Sequence, residues 1–265
     1  MTDYIFECKT IQTANIKGLF DLLKSVILEC NLVITKTGVK IMELNTTQCA
    51  LIHLKLDADS FEEFHFDDTD QKELVIGIHT DNFLKILKTL KHDETLSFLV
   101  KKDEPNFIII RKENDSRNST NSFKIPMHTL EFKNYEIPSI EFNTMISMAS
   151  GEFQRICKNF SSLGAKVLDI KNIKDGVFFN GSGDFCTFEG VLGDSTETTF
   201  KNISESIVQG AFDIKYLLLF SKASSLSKIV NIYLKNDYPL VLTYKVGTLG
   251  ELKFIISAIQ NESTS

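Results

Sequence analysis

The chain has 265 residues, 43% of them apolar, which is enough for two domains with separate cores and too apolar for a disordered chain. Its 35 acidic against 29 basic residues leave a net charge of -6, which argues against a protein whose whole surface coats nucleic acid but leaves room for a local basic face. Five cysteines, Cys8, Cys30, Cys49, Cys157 and Cys186, form no close CxxC pair, so reduced core thiols are expected, not a disulfide framework or a zinc site.

No basic stretch followed by an apolar run opens the chain, and no segment approaches the roughly 20 apolar residues of a membrane span, so a soluble intracellular protein is expected. Only four prolines interrupt the sequence, as suits a chain dominated by sheets. Residues 4–9 read as a strand. From Asn15, an N-cap candidate, to Leu28 the apolar residues Ile16, Leu19, Phe20, Leu23, Val26 and Ile27 recur at helical spacing, and Lys17, Asp21 and Lys24 share the other side. Strands are predicted at 32–35, 39–44 and 50–56, with Thr37-Gly38 as the tight turn between the first two. The acidic stretch 57–71 carries a short strand around Phe64, and 74–79 is a further strand. A second helix is predicted over 80–90; it buries Phe83, Ile86, Leu87 and Leu90, shows Lys85 and Lys88, and has Lys91 at its end. Strands follow at 95–100, 107–111 and 122–125, with the polar segment 113–121 read as a hairpin loop.

Residues 127–141 read as a linker. It holds Pro138 but also Leu130, Phe132, Tyr135 and Ile137, so part of it should lie on a surface. The order then repeats. A strand at 142–148 precedes a helix at 151–160 that buries Phe153, Ile156, Cys157 and Phe160 and exposes Arg155 and Lys158. Strands are predicted at 166–170, 176–180 and 185–192. The segment 206–212 leads into a fourth helix at 214–223 with Lys215 and Lys222, and strands at 228–234, 240–246 and 251–256 close the chain. Thr37-Gly38-Val39-Lys40-Ile41 recurs as Asp175-Gly176-Val177-Phe178-Phe179, 138 positions later. Each half thus reads as strand, helix and three strands, twice over. Two helices per half can cover one face of joined antiparallel sheets but not both, which predicts an α+β chain of two similar domains, 1–126 and 142–265, joined by 127–141.

Nothing in the chain reads as an enzyme site. His53, His65, His79, His92 and His128 are dispersed, and no HExxH, phosphate loop or dinucleotide loop occurs. Gly181-Ser182-Gly183-Asp184 lacks the surroundings of a nucleophile turn and reads as a hairpin turn, and the acidic stretch 57–71 reads as a solvated loop. No cofactor and no metal are expected.

Three stretches carry a family likeness: 148–158 (Met-Ala-Ser-Gly-Glu-Phe-Gln-Arg-Ile-Cys-Lys), Lys174-Asp175-Gly176-Val177, and 238–245 (Tyr-Pro-Leu-Val-Leu-Thr-Tyr-Lys). With Gly250-Glu251-Leu252-Lys253-Phe254, Ile76-Gly77-Ile78 and Lys85-Ile86-Leu87-Lys88, in this order and spacing, the chain resembles the eukaryotic-type DNA sliding clamps, the proliferating cell nuclear antigen family, over nearly its whole length. The resemblance implies a DNA clamp fold: a closed head-to-tail homotrimer with sheets outside and helices lining a hole that encircles double-stranded DNA. It implies a DNA polymerase processivity factor and docking platform for replication and repair proteins, placed on DNA by a clamp loader, in the nucleus or in a viral replication compartment in the cytoplasm. A heterotrimeric checkpoint-type clamp, or a protein-binding scaffold that does not encircle DNA, is the alternative.

On this resemblance the DNA-facing set is Lys17, Lys24, Lys85, Lys88, Lys91, Arg155, Lys158, Lys215 and Lys222, while Ser162 stands where the family often has a basic or histidine side chain. Lysines are mobile point charges that attract phosphate without reading bases, which suits sliding. The groove implied for partner tails with the short clamp-interacting motif is Leu44, Gln48, Cys49, Leu51, Tyr135, Ile137, Pro138, Phe142, Pro239 and Ile255, with Ser257 and Ala258 as backbone partners of the peptide. Gln48, Tyr135-Glu136 and Ile255 depart from the family's usual histidine, Leu-Gly and aromatic, which implies a changed partner preference. Subunit contacts are expected at sheet edges, 107–110 and 122–125 on one side and 185–192 on the other, with Phe123 and Phe185 as apolar interface residues.

Overall fold

The computed structural model describes residues 3–259 apart from 46, 70, 92, 134, 136–139, 174–175, 196–197 and 203–206. The chain divides into two compact units, one of Met1–Glu43, His53–Tyr135 and Lys245–Leu252, the other of Leu44–Ile52, Glu136–Tyr244 and Lys253–Ser265.

The first half of the chain forms β1 (Tyr4–Thr10), α1 (Thr13–Val26), β2 (Glu29–Thr35), β3 (Gly38–Leu44), β4 (Ala50–Asp57), β5 (Glu63–Phe66), β6 (Leu74–His79), α2 (Thr80–Leu87), β7 (Thr95–Lys101), β8 (Phe107–Asn114) and β9 (Ser119–Pro126). The second half forms β10 (Thr144–Ala149), α3 (Ser150–Ser162), β11 (Val167–Ile173), β12 (Gly176–Ser182), β13 (Thr187–Leu192), β14 (Thr198–Asn202), β15 (Val208–Asp213), α4 (Ile214–Phe220), β16 (Ile229–Leu234), β17 (Leu240–Val246) and β18 (Gly250–Ile256). Hydrogen bonding orders the first half's strands as β5-β1-β7-β8-β9 and β6-β2-β3-β4. The second half's run β14-β10-β16-β17-β18 and β15-β11-β12-β13. Each strand of the first half maps onto the one nine places later, so the duplication read in the sequence is a duplication of sheet topology.

Alternation of apolar and polar residues gives strands such as β1, β4 and β10 one buried side, whereas β2 and β7 are buried on both sides through their middles and β9 and β13 bury no residue. In the first unit Ile16, Leu19 and Phe20 of α1 share a small apolar cavity of about 40 Å³ with Phe6 of β1, Ile34 of β2, Ile41 of β3, Leu54 of β4 and Phe98 of β7. One helix therefore seals two sheets. Phe20 stacks on Phe83 of α2 at 5.4 Å, and Phe83 stacks on Phe98 at 6.2 Å. In the second unit Phe220 of α4 stacks on Phe254 of β18 at 4.1 Å, and Phe254 meets Tyr244 of β17 edge-on at 6.1 Å. Each such buried ring contributes about 1.5–3 kcal/mol by leaving water, and each well-placed ring pair about 0.5–1.5 kcal/mol more.

The structure moves several predicted boundaries. α1 starts two residues earlier than expected, because Asn15 and Ile16 donate their backbone N–H groups to the Gln12 carbonyl; Asn15 lies in the first turn and Gln12 is the cap. The loop after β8 shrinks from 113–121 to a 3-10 turn at Asp115–Arg117 and the left-handed Asn118. Asn114 is buried, accepts the Arg117 N–H at 3.0 Å and donates to the Asp93 carboxylate at 2.7 Å, so it anchors the hairpin further along. The fourth helix ends at Phe220 and passes into a 3-10 turn, Ser221–Ser225. Strand β14 has no counterpart in the sequence reading; its Thr-Thr-Phe-Lys-Asn carries little apolar pattern, and pairing with β10 makes it a strand. Cys8, Cys30 and Cys157 are buried thiols as expected, and burial pushes the Cys157 thiol up to about 12. Cys49 is exposed and Cys186 half-buried, against the core-thiol expectation.

The repeated glycine has one physical cause in both copies. Gly38 opens β3 with φ +138, and a Cβ there would stand 1.9 Å from the Leu56 carbonyl oxygen of β4. Gly176 opens β12, and its Cβ would stand 2.7 Å from the Leu192 carbonyl oxygen of β13. Each position lets a neighbouring backbone approach where a side chain cannot fit. Gly38→Ala is expected to cost about 2–4 kcal/mol through strain and steric conflict together, read as a lower denaturant midpoint with an unchanged m-value.

Candidate functional site

In the first unit α1 and α2 lie side by side, so the polar sides of both helices form one surface. Asp81 sits in the first turn of α2. Its Oδ1 accepts from Lys24 Nζ of α1 and its Oδ2 from Lys85 Nζ of α2, both at 2.7 Å. Lys88 approaches Asp21 of α1 at 3.8 Å. Lys17 is half-buried and Lys91 exposed. Hydrogen bonds from Lys24 and then Lys85 hold the Asp81 carboxyl well below the usual carboxylate range, at about 2, and the same contact raises Lys24.

In the second unit α3 packs beside α4 and its 3-10 extension, where Gln154 Nε2 donates to the Ser221 carbonyl at 3.3 Å. Arg155 holds Glu152, one turn earlier on the same helix, with Nε at 2.8 Å and Nη2 on the other oxygen. This pair lowers Glu152 and raises Arg155. Lys158 donates to Gln154 Oε1 at 3.1 Å, Lys215 lies over the Tyr216 ring at 5.8 Å, and Lys222 projects from the 3-10 turn. Ser162, exposed at the end of α3, donates to the Asn159 carbonyl. Apart from the half-buried Lys17, the predicted cations are exposed, and in each unit they lie on or next to two helices packed side by side. The two units differ in compensation: among the described residues, Lys24, Lys85 and Lys88 have carboxylate partners in the first, and only Arg155 of the predicted set has one in the second.

The predicted partner groove is assembled in part. In the second unit Pro239, Ser257 and Ala258 line an open groove of about 1060 Å³ with Gly210, Ala211, Tyr238, Ile259 and the polar Asp169, Lys171 and Asn180. The Ser257 N–H donates to the Cys49 carbonyl at 3.0 Å and the Ile259 N–H to the Ala211 carbonyl at 2.8 Å, which fixes the chain end along its wall. Asn45 accepts the Cys49 and Ala50 N–H groups at 2.9 and 3.0 Å and so shapes the turn that exposes Gln48 and Cys49. Leu44, Leu51, Phe142 and Ile255 are half-buried and do not line this groove; Phe142 faces the Tyr233 ring at 5.6 Å. Tyr135 is half-buried in the first unit, and Ile137 and Pro138 lie outside the described residues. The sequence reading missed the contribution of β11, β12 and β15; at Gly210 of β15 a Cβ would stand 2.6 Å from the Phe212 ring, so this glycine makes room for that ring.

The start of the linker is tied down in the first unit. His128 donates its N–H to the Gly77 carbonyl at 2.8 Å, and Asn31 Nδ2 donates to the Glu131 carbonyl at 3.2 Å. Phe132 is exposed at 41% and borders a second groove with Val33, Lys40 and Met42. At the sheet margins, β9 and β13 each have one neighbouring strand among the described pairings. Phe123 on β9 is half-buried under Lys112 at 5.9 Å, and Phe185, just before β13, is 77% exposed, followed by exposed Phe188 and Val191. Among the described residues no group of three or more His, Cys, Asp or Glu side chains is placed to hold a metal ion, and no helix is long and apolar enough to cross a membrane.

Comparison with known proteins accounts for both units. Residues 5–135 match the family model for the proliferating cell nuclear antigen N-terminal domain, and 136–259 match the model for its C-terminal domain. The chain is 34% identical over 259 residues to a protein of Paramecium bursaria Chlorella virus 1 described as probable DNA polymerase sliding clamp 1, covering 96% of this chain and 97% of that one. It superposes on the crystal structure of the proliferating cellular nuclear antigen from Entamoeba histolytica with a TM-score of 0.87 and 26% identity, over 97% of this chain and all of the other.

A carboxylate whose folded-state value is depressed adds stability above its unfolded value and loses it as pH falls. The Asp81 contribution is therefore intact above about pH 4 and fades toward pH 2. Carboxyl NMR titration is expected to place the Asp81 midpoint near 2, and Lys24→Ala is expected to move it up.

Proposed function

The chain belongs to the proliferating cell nuclear antigen family, and from that membership we propose that it is a homotrimeric sliding clamp. Three copies close head to tail around double-stranded DNA and act as the processivity factor of a DNA polymerase. The observation that carries this reading is the pair of family domain matches laid end to end, each over a half of the chain whose two helices expose cations. No catalysis is needed. A closed ring prevents lateral escape, weak phosphate contacts permit movement, and tethering raises the local concentration of the enzyme it carries.

The DNA-facing residues are the nine cations on the four helices and their ends. Ring closure pairs the open edge of β9, with Phe123, against the open edge of β13, with Phe185. Such pairing would satisfy edge N–H and C=O groups and cover Phe185, which is a cost to solubility in a lone chain. Partner tails from polymerase, clamp loader and repair proteins dock in the second unit: the groove around Pro239, Ser257 and Ala258 receives one end, and Leu44, Gln48, Cys49, Leu51, Phe142 and Ile255 form the remaining wall. The viral relative supports a viral replication compartment as the place of action beside the nucleus.

Light scattering over a concentration series is expected to give a stable species of about three times the 30.0 kDa chain mass, near 90 kDa. A persistent monomer would count against the homotrimer. Replacing Lys85, Lys88, Arg155 and Lys215 together by alanine should weaken binding of a short blunt duplex at low salt by about tenfold or more and flatten its salt dependence, with the trimer intact.

A further inference from the structure

We propose that Asp81 sets the strength of the clamp's hold on DNA by occupying Lys24 and Lys85, so that a phosphate must displace its carboxylate to reach them. This rests on the DNA-facing reading above. Asp81 offers one oxygen to each lysine at 2.7 Å, and the two lysines come from different helices. A DNA phosphate presents the same feature, two anionic oxygens on one centre, and competes for the same Nζ atoms. The lysine side chains remain reachable, with 45% of Lys24 and 69% of Lys85 exposed. Ion pairs this exposed are weak, so phosphate can win them, but each displacement subtracts from the binding free energy.

Asp21 acts in the same direction, facing Lys88 at 3.8 Å and lying near Lys24. Asp81 and Asp21 together offset two of the five lysine charges assigned to the first unit. The second unit has no such bridge: Glu152 binds Arg155 of its own helix and leaves Lys158, Lys215 and Lys222 without a carboxylate within 4.0 Å among the described residues. The second unit therefore offers three lysines that phosphate reaches without displacing a carboxylate, whereas Asp81 lowers what Lys24 and Lys85 of the first unit contribute.

A purely structural role for Asp81 is the competing explanation, since a carboxylate in the first turn of a helix favours the helix. The two roles separate in salt dependence. Asp81→Asn, assayed as the full chain with a short blunt duplex that needs no loader, is expected to raise affinity about threefold to tenfold at low ionic strength. It should also steepen the slope of log K against log salt by about 0.9 for each freed lysine that reaches a phosphate. In a Lys24→Gln, Lys85→Gln background the same substitution should give no gain. Unchanged affinity and slope in Asp81→Asn, with the quadruple alanine variant still losing binding, would overturn the role of Asp81 and leave the DNA-facing reading standing. A gain that persists without the two lysines would overturn it as well. If the quadruple variant binds as the parent does, both fall together. Thermal unfolding of each variant identifies any loss of fold.

Discussion

The side-by-side packing of two helices in each unit is the constraint on which the rest depends. In the first unit Phe20 lies against Phe83, and Phe83 against Phe98 of the sheet beneath. The apolar stripes of α1 and α2 are consumed by this contact, so their polar sides must point the same way. In the second unit α3, with Phe153, Ile156, Cys157 and Phe160 buried, packs beside α4, whose Phe220 stacks on Phe254. Once these stripes are buried, a lysine one or two positions from a stripe residue, turned about 100–200° around the helix from it, has only the exposed side on which to appear. A basic face on an acidic protein is the consequence. A net charge of -6 and a local preference for phosphate are compatible because contact depends on the charges nearest the backbone.

That face is moderated, not maximised. The Lys24–Asp81–Lys85 bridge, the Lys88–Asp21 approach and the Arg155–Glu152 pair return part of the positive charge to neutrality. For the ring proposed above, which would have to hold a duplex without stopping on it, weak contacts are an asset: topology would prevent escape, and electrostatics would need only to centre the duplex. The same logic applies to the groove near the chain end. Its wall is fixed by backbone hydrogen bonds from Ser257 and Ile259, and Gly210 and Ala211 line it beside Pro239. For the partner tail proposed above, a wall fixed in advance would cost little to preorganise.

Much of this was legible in the sequence because it is local. The helical spacing of Ile16, Leu19, Phe20 and Leu23, and of Phe153, Ile156, Cys157 and Phe160, places both helices within two residues, and the lysine faces follow from them. The duplicated glycine turn marks the repeat, and the structure supplies its cause, a carbonyl oxygen of the next strand where a Cβ would stand. β14 was not legible, since Thr198–Asn202 has no apolar alternation and is a strand only because β10 pairs with it. The anchoring of the β8–β9 hairpin by a buried Asn114 was hidden for a related reason, as its partner Asp93 lies 21 residues away.

The sequence by itself determined the α+β class, the internal repeat, the burial stripes of the helices and the identity of the cations beside them, because each depends on residues within a few positions of one another. Only the tertiary structure decided which cations are free. Asp81 reaches Lys85 at helical spacing, but it reaches Lys24, 57 positions earlier, only because α1 and α2 are packed together. The wall of the groove was decided in the same way, by Ser257 meeting Cys49 and Ile259 meeting Ala211 across distant parts of the chain. Ion pairs and grooves are properties of surfaces brought into register, and register between distant segments is set by core packing, not by local pattern.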